Sequence, residues 1–325
     1  MPGLPLTFAS GLYDRVLPLY TGEVRPDGID LSFVINDRPR EIFHAMTNEA
    51  RFDASEMSCA EYVTRAAAGD CPLVAIPVFP SRVFRHSSVV VNRKAGIESP
   101  KDLEGKRVGT PMYTSTAAVY VRGFLAHDYG VDLTRIHWVQ GEMERPGTNP
   151  NPSAQALLEP ADIEVNQTGK PLRRLLEEGA VDATMGSVVP SSLGRHPDLV
   201  RLFPDFPAVE RDYYQRTGIF PAMHVVVLRR AVYEANPFIA KSLFDAFIAA
   251  RDLALARLRH EGTLRYMLPW MWKEVEVIRE VFGDDCWPYG IEPNRTTLEA
   301  FIGYLAEQAM IPAPMPVEDL FLPVD

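Results

Sequence analysis

The pattern of apolar and polar positions along the chain predicts short strands that alternate with helices. In the first 70 residues it predicts strands over 4–9, 28–34 and 52–58, and helices over 39–50 and 61–69. Strands that alternate with helices are typical of sheets covered by helices. We therefore expect an α/β protein.

The rest of the chain continues this pattern and then becomes mainly helical. Short apolar runs predict strands over 73–79, 89–91, 107–110, 136–139, 181–186 and 225–228, with helices over 117–129 and 171–179. Residues 237–307 are predicted to be mostly helical. Residues 142–159 are rich in Pro, Asn and Gly, which is typical of a long loop.

Two similar strands suggest a chain folded into two domains with a cleft between them. The runs at Ser88–Asn92 and His224–Leu228 each follow turn residues and precede basic residues and a helix start. We interpret them as strands that cross between domains. Domain 1 would then comprise residues 1–91 plus 220–325, and domain 2 would be the inserted segment 92–219.

Composition narrows the classes of function. The chain has 325 residues, of which 46% are hydrophobic and 23% charged, as in ordinary soluble globular proteins. Its net charge of −10 argues against a general nucleic-acid surface, so an anionic ligand requires a local basic pocket.

The cellular location is predicted from the absence of membrane and secretion segments in the sequence. No run approaches the roughly 18 consecutive apolar residues of a membrane helix. The N-terminus has neither the basic nor the long apolar region of a secretory signal. The three cysteines have no metal-binding spacing and are odd in number, which favours reduced thiols. We expect a cytoplasmic protein without a membrane partner.

Positive charge is concentrated in VFPSRVFRHSSVVVN, residues 78–92, between two predicted buried strands. Ser81, Arg82, Arg85 and His86 lie in the turn. Ligands of open α/β sheets bind at strand ends, and the planar guanidinium of arginine binds both oxygens of a carboxylate. We therefore predict a carboxylate-binding site that contains a titratable histidine. The alternative is a solvated surface turn.

Other polar residues also adjoin predicted strands and are expected in the same cleft. These are Asp14, Arg15, Glu56, Tyr113, Thr114, Ser115, Thr116, Ser187 and His224. For Asp14 and Arg15 the alternative is a helix-capping acid and a solvated arginine, and for residues 113–116 it is simple helix capping. For His224 the alternative is a structural, hydrogen-bonded histidine.

Several segments, in consistent order from about residue 13 to about residue 295, resemble a known family. They read YDRVLPL, EIFHAM, FDASEMS, AIPVFPSRVFRHS, TAAVYVRG, RLFPD, TGIFPAMH and WPYGIEPNR. These segments are similar to the 4,5-dihydroxyphthalate decarboxylase family. SPKDLEG followed by GKRVGTP resembles the type II periplasmic-binding-protein fold, an α/β fold with two domains joined by two crossover strands.

The resemblance implies non-oxidative decarboxylation of a hydroxylated aromatic dicarboxylate to protocatechuate. Such a reaction requires a proton donor for the ring carbon that bears the carboxylate, and histidine suits this task. We predict that His86 or His224 is the donor and that the other polarises or deprotonates a hydroxyl. Glu56 or Asp14 would orient a histidine.

The predicted carboxylate anchors are Arg82 and Arg85, with Arg15 as a further candidate. One of these arginines would be structural if it pairs with Glu56, because buried arginines are usually paired. Ser81, Ser187 and residues 113–116 are predicted to contact the substrate from the walls of the cleft.

The chain departs from the family pattern in the second domain. Met112 and Thr114 stand where the family pattern has an acidic residue and a glutamine, and VVPSSLGRHP follows VDATMGS in place of a segment with a Pro-Arg pair. A related enzyme for a different carboxylate is therefore one alternative. The other alternative is a solute-binding protein for an aromatic or small carboxylate that catalyses nothing.

The sequence predicts no cofactor. It contains no HxH, HExxH, Walker or GxGxxG motif. A divalent ion held by His86, His224 and Glu56 is left open. The aromatic C-terminal third, with Trp270, Trp272, Trp287 and Tyr289, suggests a homodimer, with core packing as the alternative.

Overall fold

A computed structural model describes residues 3–69, 71–147, 157–159 and 161–324. The strands are β1 (Leu4–Ser10), β2 (Ile29–Ile35), β3 (Ala54–Ser58), β4 (Leu73–Arg82), β5 (Val90–Asn92), β6 (Arg107–Thr110), β7 (His137–Gln140), β8 (Ile163–Val165), β9 (Ala183–Thr184), β10 (Leu199–Arg201) and β11 (Ala222–Arg229). The helices are α1 (Leu17–Thr21), α2 (Pro39–Glu49), α3 (Cys59–Ala67), α4 (Thr116–His127), α5 (Leu172–Glu178), α6 (Phe206–Thr217), α7 (Arg230–Ala235), α8 (Phe238–Leu258), α9 (Met271–Phe282) and α10 (Arg295–Glu307).

The strands form two mixed sheets, which confirms the α/β prediction. The first has the order β2-β1-β3-β11-β4 and the second the order β10-β5-β9-β6-β7-β8. In the first sheet β1 is parallel to β2 and β3, whereas β11 is antiparallel to both β3 and β4. The end of β1, the ends of β3 and β4 and the start of β11 therefore meet at one edge of the sheet.

The chain leaves the first sheet earlier than the predicted domain boundary at residues 91–92. Val90 and Val91 pair with β10 and β9 of the second sheet, so the chain has left the first sheet by residue 90. The first link therefore comprises residues 83–89, and residues 90–91 do not belong to domain 1. The second link contains α6, after which β11 returns to the first sheet.

Helix α4 fastens the two halves together. It begins after the second-sheet strand β6 and packs against α10 and α3. Its Gly123 provides the close approach, because a Cβ atom built there would lie 2.4 Å from a ring carbon of Tyr304 in α10. Tyr120 of α4 stacks on Phe301 of α10, with ring centroids 4.8 Å apart. The contact is therefore tight enough to exclude a methyl group at position 123.

The structure contains one helix that the sequence did not predict. Helix α6 was not predicted, since residues 206–217 contain a proline and show little apolar periodicity. Residues 142–147 and 157–159 form neither helix nor strand, and the rest of the predicted loop lies outside the described residues.

In the described ranges no helix combines the length and apolar character needed to cross a membrane. Cys59, Cys71 and Cys286 form no disulfide among the described residues, and the cytoplasmic location stays a prediction.

We predict that Gly123→Ala lowers the free energy of unfolding by about 1–3 kcal/mol, because the new methyl group forces α4 away from Tyr304. Gly303→Ala is the matched control, since no atom lies within 4 Å of a Cβ built there, and it should be neutral or stabilise α10 by up to about 1 kcal/mol. Denaturant unfolding of the three proteins measures both effects. Equal stability of the Gly123 variant and the parent would contradict the proposed packing.

Candidate active site

A cleft of about 840 Å³ lies between the edges of the two sheets. The first-sheet side contributes Tyr13, Ser58, Ser81 and His224, and the second-sheet side contributes Thr114, Ser115, Thr116 and Ser187. Arg85, from the first link, also lines the cleft. The structure thus brings together seven residues predicted for the site: Ser81, Arg85, Thr114, Ser115, Thr116, Ser187 and His224.

The centre of the first-sheet wall is a pair formed by His224 and Glu56. His224 Nδ1 lies 3.1 Å from Glu56 Oε2. Glu56 is fully buried, whereas the His224 side chain is 17% exposed and reaches the cleft. Because the carboxylate accepts the hydrogen bond from Nδ1, Nε2 is the ring nitrogen available to a molecule in the cleft. A histidine held in this way is suited to proton transfer.

Strand register explains why these two side chains meet. In the pairing of β11 with β3, His224 lies opposite Ser58 and Val226 lies opposite Glu56, so Glu56 is the diagonal neighbour of His224. The pairing of β11 with β4 shifts register on both sides of His224. Irregularities of this kind redirect a side chain out of the regular ladder and are common beside active sites.

Two groups that follow β1 complete the environment of Glu56. The backbone N–H of Gly11 donates to Oε1 at 2.9 Å, and the Tyr13 hydroxyl donates to Oε2 at 3.1 Å. Burial and the adjacent Glu56 carboxylate raise the pKa of Tyr13, so its hydroxyl remains a donor at neutral pH. With His224, these donors offset the cost of burying the carboxylate. Tyr13 also lines the cleft and was not predicted.

Asp14 and Arg15 support Tyr13 and do not reach the cleft lining, which corrects both predictions. The Arg15 guanidinium lies 4.3 Å from the Tyr13 ring centroid and 4.2 Å from that of Trp287. It donates to the carbonyl oxygen of Pro80 at 2.6 Å and to Asp14 at 3.1 Å. Asp14 is therefore committed to this support and does not contact a histidine.

Arg85 is the arginine of the charged turn that does line the cleft. Its Nη1 donates weakly to the carbonyl oxygen of Ser187, at 3.5 Å, and its Nε is buried without a hydrogen-bond partner among the described residues. Burial lowers the pKa of Arg85 to about 10, against the opposing effect of Glu210, so the group stays charged at neutral pH. A charged guanidinium with unused donors is suited to a carboxylate ligand.

Hydroxyl groups at the start of α4 border the opposite wall. The Thr116 hydroxyl lies 2.9 Å from that of Ser58 and accepts from the Ala60 N–H at 3.0 Å, so it joins the two sides of the cleft. Ser115 caps α4 by accepting from the Ala118 N–H at 3.3 Å. Capping and cleft lining are therefore combined in the same segment.

Arg82 does not line the cleft, although it was predicted as an anchor. It is 4% exposed and donates to the carbonyl oxygens of Phe220 and Pro288, at 3.1 and 2.9 Å, and to the side chain of Asn294. Its side chain joins the end of β4 to the segments before β11 and α10. The structure thus assigns Arg82 to internal support, because neutral oxygens accept from both of its Nη atoms and the side chain does not line the cleft.

His86 is also directed away from the cleft, which corrects its prediction as a proton donor. Its ring stacks on Phe124 at a centroid distance of 4.0 Å and contacts the edges of Phe203 and Tyr213. It is 1% exposed, and neither ring nitrogen has a hydrogen-bond partner in the described ranges. The sequence does not reveal this position, since the aromatic partners lie far along the chain.

Tyr113 was also predicted to contact the substrate, but it does not line the cleft. Its ring lies 3.7 Å from the guanidinium of the buried Arg122 and contacts the edge of Trp138. Its backbone N–H donates to the side chain of Gln140 at 2.9 Å. These contacts hold it in the second sheet's core, where it is 8% exposed.

No metal centre is formed by the residues that the structure describes. His86 lies among aromatic rings, so it does not converge with His224 and Glu56 as the scattered ion site requires. No group of three or more His, Cys, Asp or Glu side chains in those ranges is placed to hold a metal ion. Whether the protein works without a cofactor stays a prediction.

Two α/β halves joined by two crossings, with a ligand-sized cleft between them, define a protein with the periplasmic-binding-protein fold. Solved structures agree. The aliphatic sulphonate binding protein SsuA from Escherichia coli is 15% identical, with a TM-score of 0.55 over 99% of this chain and 97% of that one. The desulfurization enzyme DSZB is 12% identical, with a TM-score of 0.52 over 98% and 96%. At these identities the likeness concerns the fold alone.

Sequence comparisons identify the family within this class. The model of the NMT1/THI5 like family matches residues 26–146. A 4,5-dihydroxyphthalate decarboxylase from Comamonas testosteroni is 38% identical over 303 residues, covering 93% of this chain and 91% of the relative. One from Pseudomonas putida is 39% identical over 218 residues, covering 66% and 83%. The chain belongs to the 4,5-dihydroxyphthalate decarboxylase family, whose named members are carboxy-lyases.

The buried His86 predicts a loss of stability in acid. Burial, with a smaller effect of Arg216, lowers the pKa of His86 from 6.5 to about 4. The unfolded chain therefore binds the proton first, and stability falls as the pH drops from about 6.5 to about 4, by on the order of 3 kcal/mol.

His86→Phe removes this titration and should flatten the fall in stability over that pH range, as measured by denaturant unfolding at several pH values. His137→Gln is the control, since this side chain is 60% exposed and its loss should leave the acid profile unchanged. An unaltered profile in the Phe variant would contradict the role given to His86.

Proposed function

We propose that the protein catalyses the non-oxidative decarboxylation of 4,5-dihydroxyphthalate to protocatechuate. The observation that carries this proposal is the pair of His224 and buried Glu56 on the wall of the cleft. The names of the curated relatives, which cover most of the chain, support the same reaction.

The reaction exchanges one carboxylate for one proton. His224, in its protonated form, gives a proton to the ring carbon that bears the carboxylate, while the hydroxyl para to that carbon supplies electron density. The bond from the ring to the carboxylate then breaks, its electron pair restores the aromatic ring, and CO2 leaves. His224 regains a proton from solvent, so neither an oxidant nor a reductant is consumed.

Glu56 supports this role without contacting the substrate. Its carboxylate fixes the orientation of the imidazole through Nδ1 and stabilises the positive charge of the protonated ring. Tyr13, which donates to the same carboxylate, also borders the cleft and is placed to contact the substrate. Glu56 is therefore a positioning residue, and His224 is the proton donor.

Arg85 is the proposed anchor for a carboxylate of the substrate, because it is charged, lines the cleft and has unused donors. The hydroxyls of Ser81, Thr114, Thr116 and Ser187 border the same space and are proposed to contact the ring substituents.

The alternatives from the sequence make different predictions. A solute-binding protein would bind an aromatic carboxylate without releasing CO2, and the names of the curated relatives favour an enzyme. A decarboxylase for another acid is favoured by one observation: Met112 and Thr114, where the chain departs from the family pattern, both line the cleft. A panel of hydroxylated aromatic acids separates these two cases.

We predict that metal-stripped protein releases CO2 from 4,5-dihydroxyphthalate and that His224→Gln lowers kcat by about 100- to 10,000-fold, the usual contribution of a general acid. Glu56→Gln should lower kcat by a smaller factor, because the imidazole remains in place but loses charge stabilisation. Coupled CO2 release and chromatography of protocatechuate measure both.

His86→Phe is the control for loss of a histidine and should retain turnover within a few fold, because His86 lies outside the cleft lining. Full turnover by His224→Gln would overturn the assignment. Turnover that requires an added divalent ion would also overturn it and reassign His224 to metal binding. Binding of the substrate without CO2 release would reject the decarboxylase for this acid.

We also propose that the protein forms a homodimer through the segment that links α8 and α9. Leu264, Met267, Leu268 and Trp270 are each at least half exposed there, and Met267 is fully exposed. Arg259 and His260 precede this patch and Arg265 lies within it, whereas Glu274, Glu276 and Glu280 follow it. A two-fold contact would bring the basic flank of one copy towards the acidic flank of the other.

Light scattering at micromolar concentrations should therefore give the mass of a dimer, and Trp270→Glu should give a monomer. Val165→Glu, which alters an exposed residue of the second sheet, should leave the dimer intact. A monomeric parent protein would refute the proposal.

A further inference from the structure

Arg40 is one of four arginines that line the cleft, together with Arg38, Arg85 and Arg145. It lies in the first turn of α2, which follows β2 of the first sheet, whereas Arg85 lies in the first link between the sheets. Its nearest charged partner is Glu142, which follows β7 of the second sheet. The N···O distance of 3.9 Å makes this a loose ion pair, and no hydrogen bond satisfies the Arg40 guanidinium in the described part of the chain.

The position of Arg40 relative to the reacting histidine follows from the geometry of α2. Arg40 and Phe43 are three residues apart, so they lie on the same face about one helical turn from each other. The Phe43 ring contacts the edge of His224, with centroids 5.1 Å apart. Both Arg40 and Phe43 line the cleft. Arg40 therefore borders the cleft about one helical turn from a residue that contacts His224.

The environment of Arg40 favours an additional anion. Burial lowers the pKa of Arg40, and Glu142 opposes this effect only in part. By contrast, Arg38, also at the cleft edge, is 77% exposed and forms a 3.0 Å pair with Glu41. Arg40 is thus partly desolvated with incomplete compensation, and a carboxylate in the cleft would supply the missing partner.

We propose that Arg40 binds a second carboxylate of the substrate and that the Arg40–Arg85 pair makes the cleft selective for dicarboxylates over monocarboxylates. The inference rests on the proposed function, whose substrate carries two carboxylates and whose organic product carries one. Glu142 occupies Arg40 in the absence of ligand and competes with the incoming carboxylate. Arg40 is therefore a specificity-determining residue of the same site.

The direct test compares the affinity of the full-length protein for phthalate and for benzoate by titration calorimetry. These probes differ by one carboxylate and lack hydroxyls, so neither undergoes the proposed reaction during the measurement. Arg40→Gln should weaken phthalate binding by about 10- to 100-fold, the range expected for a lost charge-assisted contact. Benzoate binding should change by less than about threefold. Arg51→Gln, an exposed arginine just beyond the other end of α2, is the matched control and should affect neither ligand.

Glu142 provides a prediction of opposite sign. Glu142→Gln should tighten phthalate binding severalfold, because it releases Arg40 from its competing partner. In the Arg40→Gln background the same substitution should have no effect on phthalate. If Glu142 merely repelled any anion, the tightening would persist in that background, and the competition would be rejected.

The outcomes separate this inference from the proposed function. Selective loss of phthalate binding in Arg40→Gln supports the inference even if the parent protein releases no CO2 from 4,5-dihydroxyphthalate. Equal weakening of phthalate and benzoate, or no weakening of either, overturns it even if turnover is normal. Thermal unfolding of the variants verifies that each retains the parent fold.

Discussion

The hydrogen bond between the buried Glu56 carboxylate and His224 is the interaction on which the site depends. A carboxylate removed from water costs several kcal/mol unless donors surround it. Here the donors come from separate parts of the first sheet: the chain after β1 supplies Gly11 and Tyr13, and β11 supplies His224. Correct pairing of β1, β3 and β11 is therefore a condition for both a stable Glu56 and an oriented imidazole. Stability of the sheet and chemistry of the cleft are coupled through one side chain.

The residues on the second-sheet side of the cleft face the wall that carries His224, and we propose that they contribute to substrate selectivity. Thr116 reaches across to Ser58, and Glu142 reaches across to Arg40, so polar contacts join the halves on the cleft itself. The tight packing of α4 on α10 holds the halves together away from it. Contacts between neutral hydroxyls, or a loose ion pair, are modest in energy, and a substrate with stronger hydrogen bonds can replace them. The fold is shared with binding proteins, so the catalytic activity must come from the residues that line the cleft.

The sequence predicted the strands and the family more accurately than the positions of the individual site residues. Strand ends led to Ser81, Ser187 and residues 114–116, which line the cleft, because residues at the ends of neighbouring strands meet at one edge. The same reasoning misplaced Arg82 and His86, which lie beside cleft residues in the chain but turn into the protein. Their partners, among them Asn294 and Phe203, are distant in sequence, and periodicity carries no information on such contacts. Arg40 was missed because it lies at a predicted helix start, where an arginine is usually exposed to solvent.

The most direct test of the central claim is chemical rescue of the proton donor. His224→Ala removes the imidazole and leaves space beside Phe43 that a free imidazole molecule can fill from the cleft. Decarboxylation of 4,5-dihydroxyphthalate by this variant should be nearly absent and should rise saturably with added imidazole. Glu56→Gln in the same variant should weaken the rescue, since the carboxylate orients the added ring. A His224→Ala protein that decarboxylates at the parent rate, with or without imidazole, would contradict the account.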